Sequence, residues 1–171
     1  MTSLYQTTRK ILIRSLEVSV MILMGILVID VTWQVFSRYI LKDPSTWSEE
    51  LARMLLIWVS LLGASVGFVH RSHLGVDYFV NKLPDDSRTL VELSSHILVA
   101  AFAIIVLMYG GYEVVSRTLI TNQLSPALQI KMGYVYLALP ISGVFIMLFS
   151  LEAAYEKYIA LRKVLKQSQE G

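Results

Sequence analysis

Four long apolar runs dominate this sequence, and each is near the length that crosses a bilayer, which takes roughly 20 residues at ~1.5 Å of rise per residue. Met132 to Leu151 carries no charge. Leu93 to Tyr112 is interrupted only by His96, Met54 to Val69 is uncharged and extends outward to Leu51 across Arg53, and Val18 to Ser37 contains Asp30. The composition agrees: 16% of residues are charged and 55% hydrophobic, with a mean hydropathy of +0.58, whereas soluble domains carry about a quarter charged residues. Backbone groups in hydrocarbon must be satisfied within their own segment, so such runs are helices. The expectation is an all-α membrane protein with four transmembrane helices, over about 15–38, 50–70, 90–112 and 132–154, forming one domain over 1–171. Arg9, Lys10 and Arg14 ahead of the first run look like the start of a signal peptide. No A-x-A-like site follows and the run continues to Phe36, so the first span is read as uncleaved. The tail from Lys166 to Gly171 is expected to fray.

Several function classes drop out. The formal charge is +2, from 15 basic and 13 acidic residues, too little for a surface that displaces counterions from nucleic acid. With no cysteine the chain forms no disulfide and holds no iron–sulfur cluster or thiolate zinc. There is no phosphate-binding loop, nucleophile elbow or zinc-protease helix, so no enzyme is expected. His70-x-x-His73-x-x-x-Asp77 has a metal-like spacing, but a third strong ligand is missing and no metal is expected. His96, beside Ser94 and Ser95, is the single histidine within a span, so a bis-histidine haem lacks its second ligand and no cofactor is expected.

Basic residues in short connections stay cytoplasmic. With the N-terminus inside, the inner side holds Arg9, Lys10, Arg14, Arg71, Lys82, Arg88, Lys157, Arg162, Lys163 and Lys166; the outer side holds Arg38, Lys42, Arg53, Arg117 and Lys131. Ten against five places both termini in the cytoplasm. Tyr39, Trp47, Tyr109, Tyr112, Tyr134 and Tyr136 then cluster at the outer interface, and Tyr78, Tyr155 and Tyr158 at the inner one, where amphipathic rings meet lipid headgroups. A short amphipathic helix is expected around Val76 to Leu83, and Val114 to Lys131 reads as the largest outer loop.

The segment Asp43-Pro-Ser-Thr-Trp-Ser-Glu-Glu-Leu-Ala-Arg53 is the richest in recognition chemistry. Thr46-x-x-Glu49 matches a capping box, Glu49 and Glu50 sit where the helix dipole favours carboxylates, and Arg53 can pair with either. Trp47 and Trp58 are eleven residues apart, hence on nearly one face. An interfacial anchor on a capped helix explains this segment, and so does a docking edge for another membrane protein. Ser60-x-x-x-Ala64 and Gly63-x-x-x-Gly67 permit close helix approach, within the bundle or to a partner; Ala138-x-x-x-Ser142 does the same in the fourth span, where Pro140 is expected to kink the helix. Asp30 lies roughly 18 Å into its span by helix rise. An acid at that depth needs a partner, and Arg53 is the expected one.

Trp47-Ser-Glu-Glu-Leu-Ala-Arg53, followed by Trp58, Leu62-Gly-Ala64 and His73-Leu-Gly-Val-Asp77, with Arg38 upstream, resembles the small membrane subunit of tripartite ATP-independent periplasmic (TRAP) transporters, the DctQ type. The resemblance covers the chain in length, span number and topology, with its local motifs between about positions 38 and 77. It implies a bacterial inner-membrane subunit that pairs with a large multi-span subunit and works with a periplasmic substrate-binding protein. It places the substrate and sodium sites and the moving elevator in the large subunit, and it implies organic-acid substrates of the dicarboxylate, keto-acid or sialic-acid class, sialic acid being the nearest. On this reading Trp47, Trp58, Gly63 and Gly67 face the partner, Glu49, Glu50 and Arg53 order the outer edge, and Lys42, Asp43 and the loop from Arg117 to Lys131 meet the periplasmic protein. Membrane lipids are the remaining partner.

Two other classes fit four short spans. A small proton-coupled exporter would use Asp30 and act alone, but it calls for a nearly even loop charge. A haem- or quinone-anchoring respiratory subunit would show a Soret band or bound quinone.

Overall fold

The computed structural model describes residues 2–70 and 85–170. Its helices are α1 (Thr2–Phe36), α2 (Thr46–Val69), α3 (Asp85–Phe102), α4 (Gly111–Ile120), α5 (Met132–Tyr136) and α6 (Ala138–Glu170). Wider π turns extend α1 over Ser37–Leu41 and join α3 to α4 over Ala103–Gly110. Four helical stretches are long and apolar enough to cross a membrane: Gln6–Leu41, Thr46–Val69, Leu90–Ile120 and Met132–Ile159. The protein is all-α, as the solvation argument requires.

The stretches differ from the expected spans at their ends. The third runs to Ile120 instead of 112, because Glu113 pairs with Arg117 one turn on at 2.6 Å, and Val115 and Thr118 are buried against α5. The outer loop therefore shrinks from 114–131 to 121–131. The first two stretches start earlier than expected, since polar residues at a helix end cost little where water reaches them. The fourth is broken at Leu137: Pro140 has no N–H to give the Tyr136 carbonyl and its ring crowds that position, so α6 restarts at Ala138. The C-terminal tail stays helical to Glu170 rather than fraying, carried as a continuation of the long α6. The amphipathic helix expected around Val76 to Leu83 lies outside the described residues.

Among the described residues the backbones form a row in the order α1, α2, α6, α3. α1 packs closely along α2 alone, and its side chains reach α6 where Leu16, Leu62 and Phe149 form a buried cluster and again two turns nearer the N-terminus at Arg9. A second cluster, Ala103, Leu107 and Ile146, seals α6 against the helix that continues α3. Glycine makes that seam tight. A Cβ on Gly143 would lie 2.9 Å from the Leu107 Cβ, and one on Gly111 2.9 Å from the Leu139 Cβ. With no hydrophobic drive between helices in lipid, such close approach supplies the association through dispersion contacts.

Polar side chains tie the helices at the end that holds the N-terminus. Arg9 on α1 meets Glu152 on α6 at 2.7 Å, Glu17 on α1 meets His70 after α2 at 2.8 Å, and Lys157 on α6 pairs with Glu92 on α3. At the opposite end α1 closes through Lys42, whose backbone is left-handed (φ 56°) and whose N–H reaches back to the Ser37 carbonyl. Pro44 then prevents helical continuation.

Candidate interaction surfaces

The start of α2 divides its charged residues between two directions. Ser45 holds the extended capping position, so Thr46 is already the first helical residue, and no side chain caps the turn. The expected Thr46–Glu49 capping box is therefore not made. Glu49 pairs instead with Arg53, four residues on, at 3.7 Å on an exposed face. Glu50, one position and so about 100° further round the helix, turns inward and is only 8% exposed. Its Oε2 accepts the backbone N–H groups of Ala127 (2.8 Å) and Leu128 (2.9 Å). Sequence reading missed this bond, since nothing local marks a carboxylate whose donors lie 77 and 78 residues away.

The loop so held is internally bonded. Ser125 N–H donates to the Ile130 carbonyl at 2.9 Å, Met132 N–H donates to that of Gln123 at 2.9 Å, and Leu124 and Lys131 form an antiparallel bridge. Asn122 and Gln129 take left-handed backbone angles at its two bends. Between this loop and α2 lies a crevice of about 660 Å³ lined by Glu49, Arg53, Gln123, Pro126, Met132 and Tyr136 among others. Lys131 is exposed at the foot of the loop, and Arg117 at its other side stays paired to Glu113. Lys42 and Asp43 are exposed where α1 ends.

Trp47 is exposed at this same end. Trp58, three turns on, is half-buried and packs on the Leu16, Leu62 and Phe149 cluster. It also forms part of an apolar cleft of about 660 Å³ between α1 and α5–α6, lined by Leu23, Met54, Tyr134 and Phe145 as well. Gly63 and Gly67 lie on the other side of α2, and a Cβ at either would meet nothing within 4 Å. No helix of the described chain uses that stripe; small residues that do pack between α2 and α6 include Ser65, Ala138 and Ser142, all fully buried, with the Ser65 hydroxyl 3.4 Å from the Ser142 carbonyl.

Asp30 is buried, 6% exposed, and its partner is not Arg53. Gln34 Nε2 donates to Asp30 Oδ2 at 3.2 Å and to the Ser48 carbonyl at 3.0 Å, linking α1 to α2. Ser48 and Arg53 stand five residues apart, about 140° around the helix, so Arg53 points away from α1. His70 lies against Glu17, while His73 and Asp77 fall outside the described residues. His96 meets Phe68 edge-on at 5.9 Å. Among the described residues no three His, Asp or Glu side chains are grouped to hold a metal.

Residues 7–159 match the family described as tripartite ATP-independent periplasmic transporters, DctQ component. The chain belongs to the DctQ family. Like its relatives, this DctQ chain is a small permease subunit of a TRAP transporter and a multi-pass inner-membrane protein. It is 36% identical over 149 residues to the sialic acid TRAP transporter small permease protein SiaQ of Vibrio cholerae, covering 86% of this chain and 83% of that one. It is 28% identical over 109 residues to the C4-dicarboxylate TRAP transporter small permease protein DctQ of Rhodobacter capsulatus, covering 64% of this chain and 48% of that one. Against the isethionate TRAP transporter permease protein DctMQ of Oleidesulfovibrio alaskensis the identity is 31% over 118 residues, 66% of this chain but only 18% of that longer one. DctQ-type subunits partner with large permease subunits, and in DctMQ the matching segment is a small part of a single polypeptide.

Proposed function

We propose that this subunit is the static brace of a sodium-coupled TRAP transporter for organic acids, holding its large partner against tilt while that partner moves substrate, and offering a periplasmic surface to the substrate-binding protein. It works as one membrane domain over residues 1–171 with both termini in the cytoplasm, a reading that the basic-residue distribution supports.

The observation that carries the reading is the amount of helix surface the chain leaves without a neighbour of its own. Among the described residues α1 leans on α2 alone, exposing residues such as Ile22 and Ile29, and a Cβ at Gly63 or Gly67 of α2 would meet nothing within 4 Å. Glu49 and Arg53 lie on that side of α2 toward its start, which makes it the natural seat of a large membrane neighbour, while Trp47, about 160° round the helix from Gly63, stands on the Trp58 side of the same end. Trp58 supports the edge from within, Glu50 turns away from it toward the loop, and Lys42, Asp43, Arg117 and Lys131 surround the loop end, where polar and salt-sensitive contacts with a soluble protein belong. The likeness to SiaQ favours sialic acid as the substrate. Asp30 holds Gln34, whose amide joins α1 to α2, and this structural role takes support from an autonomous proton-coupled exporter.

The test is reconstitution. In liposomes this subunit alone should take up no sialic acid; with the large subunit and the binding protein, a sodium gradient should drive uptake. Uptake by the small subunit alone would overturn the reading.

A further inference from the structure

The loop 121–131 owes its place on α2 to one side chain, and that arrangement has a use. A loop of eleven residues between two helices is free to sample many conformations, and ordering it when a partner arrives costs affinity. Here the subunit's own hydrogen bonds hold the loop. Internal bonds close the loop on itself through Ser125–Ile130 and Gln123–Met132. Those bonds fix its shape and leave its attitude to the bundle open. The attitude is set by Glu50, whose carboxylate takes the adjacent N–H groups of Ala127 and Leu128 at the loop tip. Charge-assisted bonds of this kind are stronger than neutral ones, and the burial of Glu50 shields them from competing water.

We propose that Glu50 is a positioning residue for docking: it presents the loop 121–131, and the crevice beside Arg53, Gln123 and Tyr136, in a preformed attitude to the soluble substrate-binding protein. The inference rests on the reading above, that this end of the bundle faces the periplasm and meets that protein. It assigns to Glu50 an effect on recognition with none on the transport step itself, because Glu50 touches neither substrate nor the moving subunit in this role. Glu50 and Glu49 then divide the labour of the Ser-Glu-Glu motif, one inward to the loop and one outward to Arg53.

The experiment uses the two-subunit permease in proteoliposomes, with sialic-acid-loaded binding protein titrated outside and hydrogen exchange followed over residues 121–131 of the same complex. Glu50→Ala should speed exchange across the loop and raise the half-saturating concentration of binding protein about tenfold, the loss expected for a pair of charge-assisted bonds, with the maximal uptake rate unchanged. Glu50→Gln keeps the shape and one acceptor oxygen, serves as the readout should the alanine variant not assemble, and should show a shift of about threefold in the same direction. Faster loop exchange with an unchanged half-saturating concentration overturns the proposal, as does unchanged exchange in both variants. A wild-type permease whose uptake ignores the binding protein overturns instead the reading on which the proposal rests.

Discussion

Arg9 Nε lies 2.7 Å from one carboxylate oxygen of Glu152 and 3.0 Å from the other, joining the first helix to the last across 143 residues of chain. It is the farthest-reaching bond of a set in which Glu17–His70 and Glu92–Lys157 also cross between helices. Since α1 packs closely on α2 alone, this pair adds to the Leu16–Phe149 contact in tying α1 to α6.

Neutralising that pair should loosen α1 without unfolding the bundle. Both partners are partly exposed, so Arg9→Ala or Glu152→Ala should each cost about 1 kcal/mol or less, and the double variant should cost little more than either single one. Thermal denaturation in detergent across the double-mutant cycle reads this coupling. Fully additive losses would show that the two side chains act independently.

Glycines on opposite sides of the row should behave in opposite ways. Gly143→Val forces a branched side chain where even a Cβ would be 2.9 Å from Leu107, and overpacking of this kind costs ~1–3 kcal/mol. Gly63→Val and Gly67→Val have open space and should leave the melting temperature of the isolated subunit unchanged while reducing its recovery with the large subunit. Equal melting of all three variants would contradict the packing described for the α3–α6 seam.

The two tryptophans separate in the same manner. Trp58→Ala empties a half-buried site on the Leu16–Leu62–Phe149 cluster and should destabilise the subunit by about 2 kcal/mol. Trp47→Ala combined with Arg53→Glu should leave the subunit's own stability within about 0.5 kcal/mol and weaken copurification with the large subunit. Unchanged recovery of the pair in detergent would remove this edge from the proposed interface.

Gln34, rather than Arg53, is the residue on which Asp30 depends. Gln34→Leu leaves the Asp30 carboxylate and the Ser48 carbonyl without their shared donor, a loss of ~1–3 kcal/mol. Asp30→Asn keeps an acceptor oxygen and should retain both assembly and uptake. Loss of sodium-driven uptake in a fully assembled Asp30→Asn transporter would restore Asp30 as a functional acid.

The spans were legible because lipid imposes a simple condition on backbone and side chain alike, and Met132 to Leu151 or Leu93 to Tyr112 satisfies it by composition alone. Their ends were harder: the run from Val114 to Ile120 reads as loop by hydropathy, yet the Glu113–Arg117 pair and the burial of Val115 and Thr118 keep it helical. The richness of the Trp47–Arg53 segment was also visible, while the division of Glu49 from Glu50 was not, since it depends on where a distant loop returns. Gly63 and Gly67 drew attention by their spacing, whereas the glycines that pack, Gly111, Gly133 and Gly143, stand in no such motif. A small residue marks a tight approach only when the opposing surface is known.

Helices set side by side in a bent line, at about 8–10 Å between neighbours, make a body roughly 30–40 Å across in the membrane plane, longer than a closed cluster of the same four spans. Rolling such a body about that long dimension must push lipid aside along its whole flank. A neighbour fastened to one flank inherits that resistance as a keel lends it to a hull, and it does so through shape, without any residue having to move.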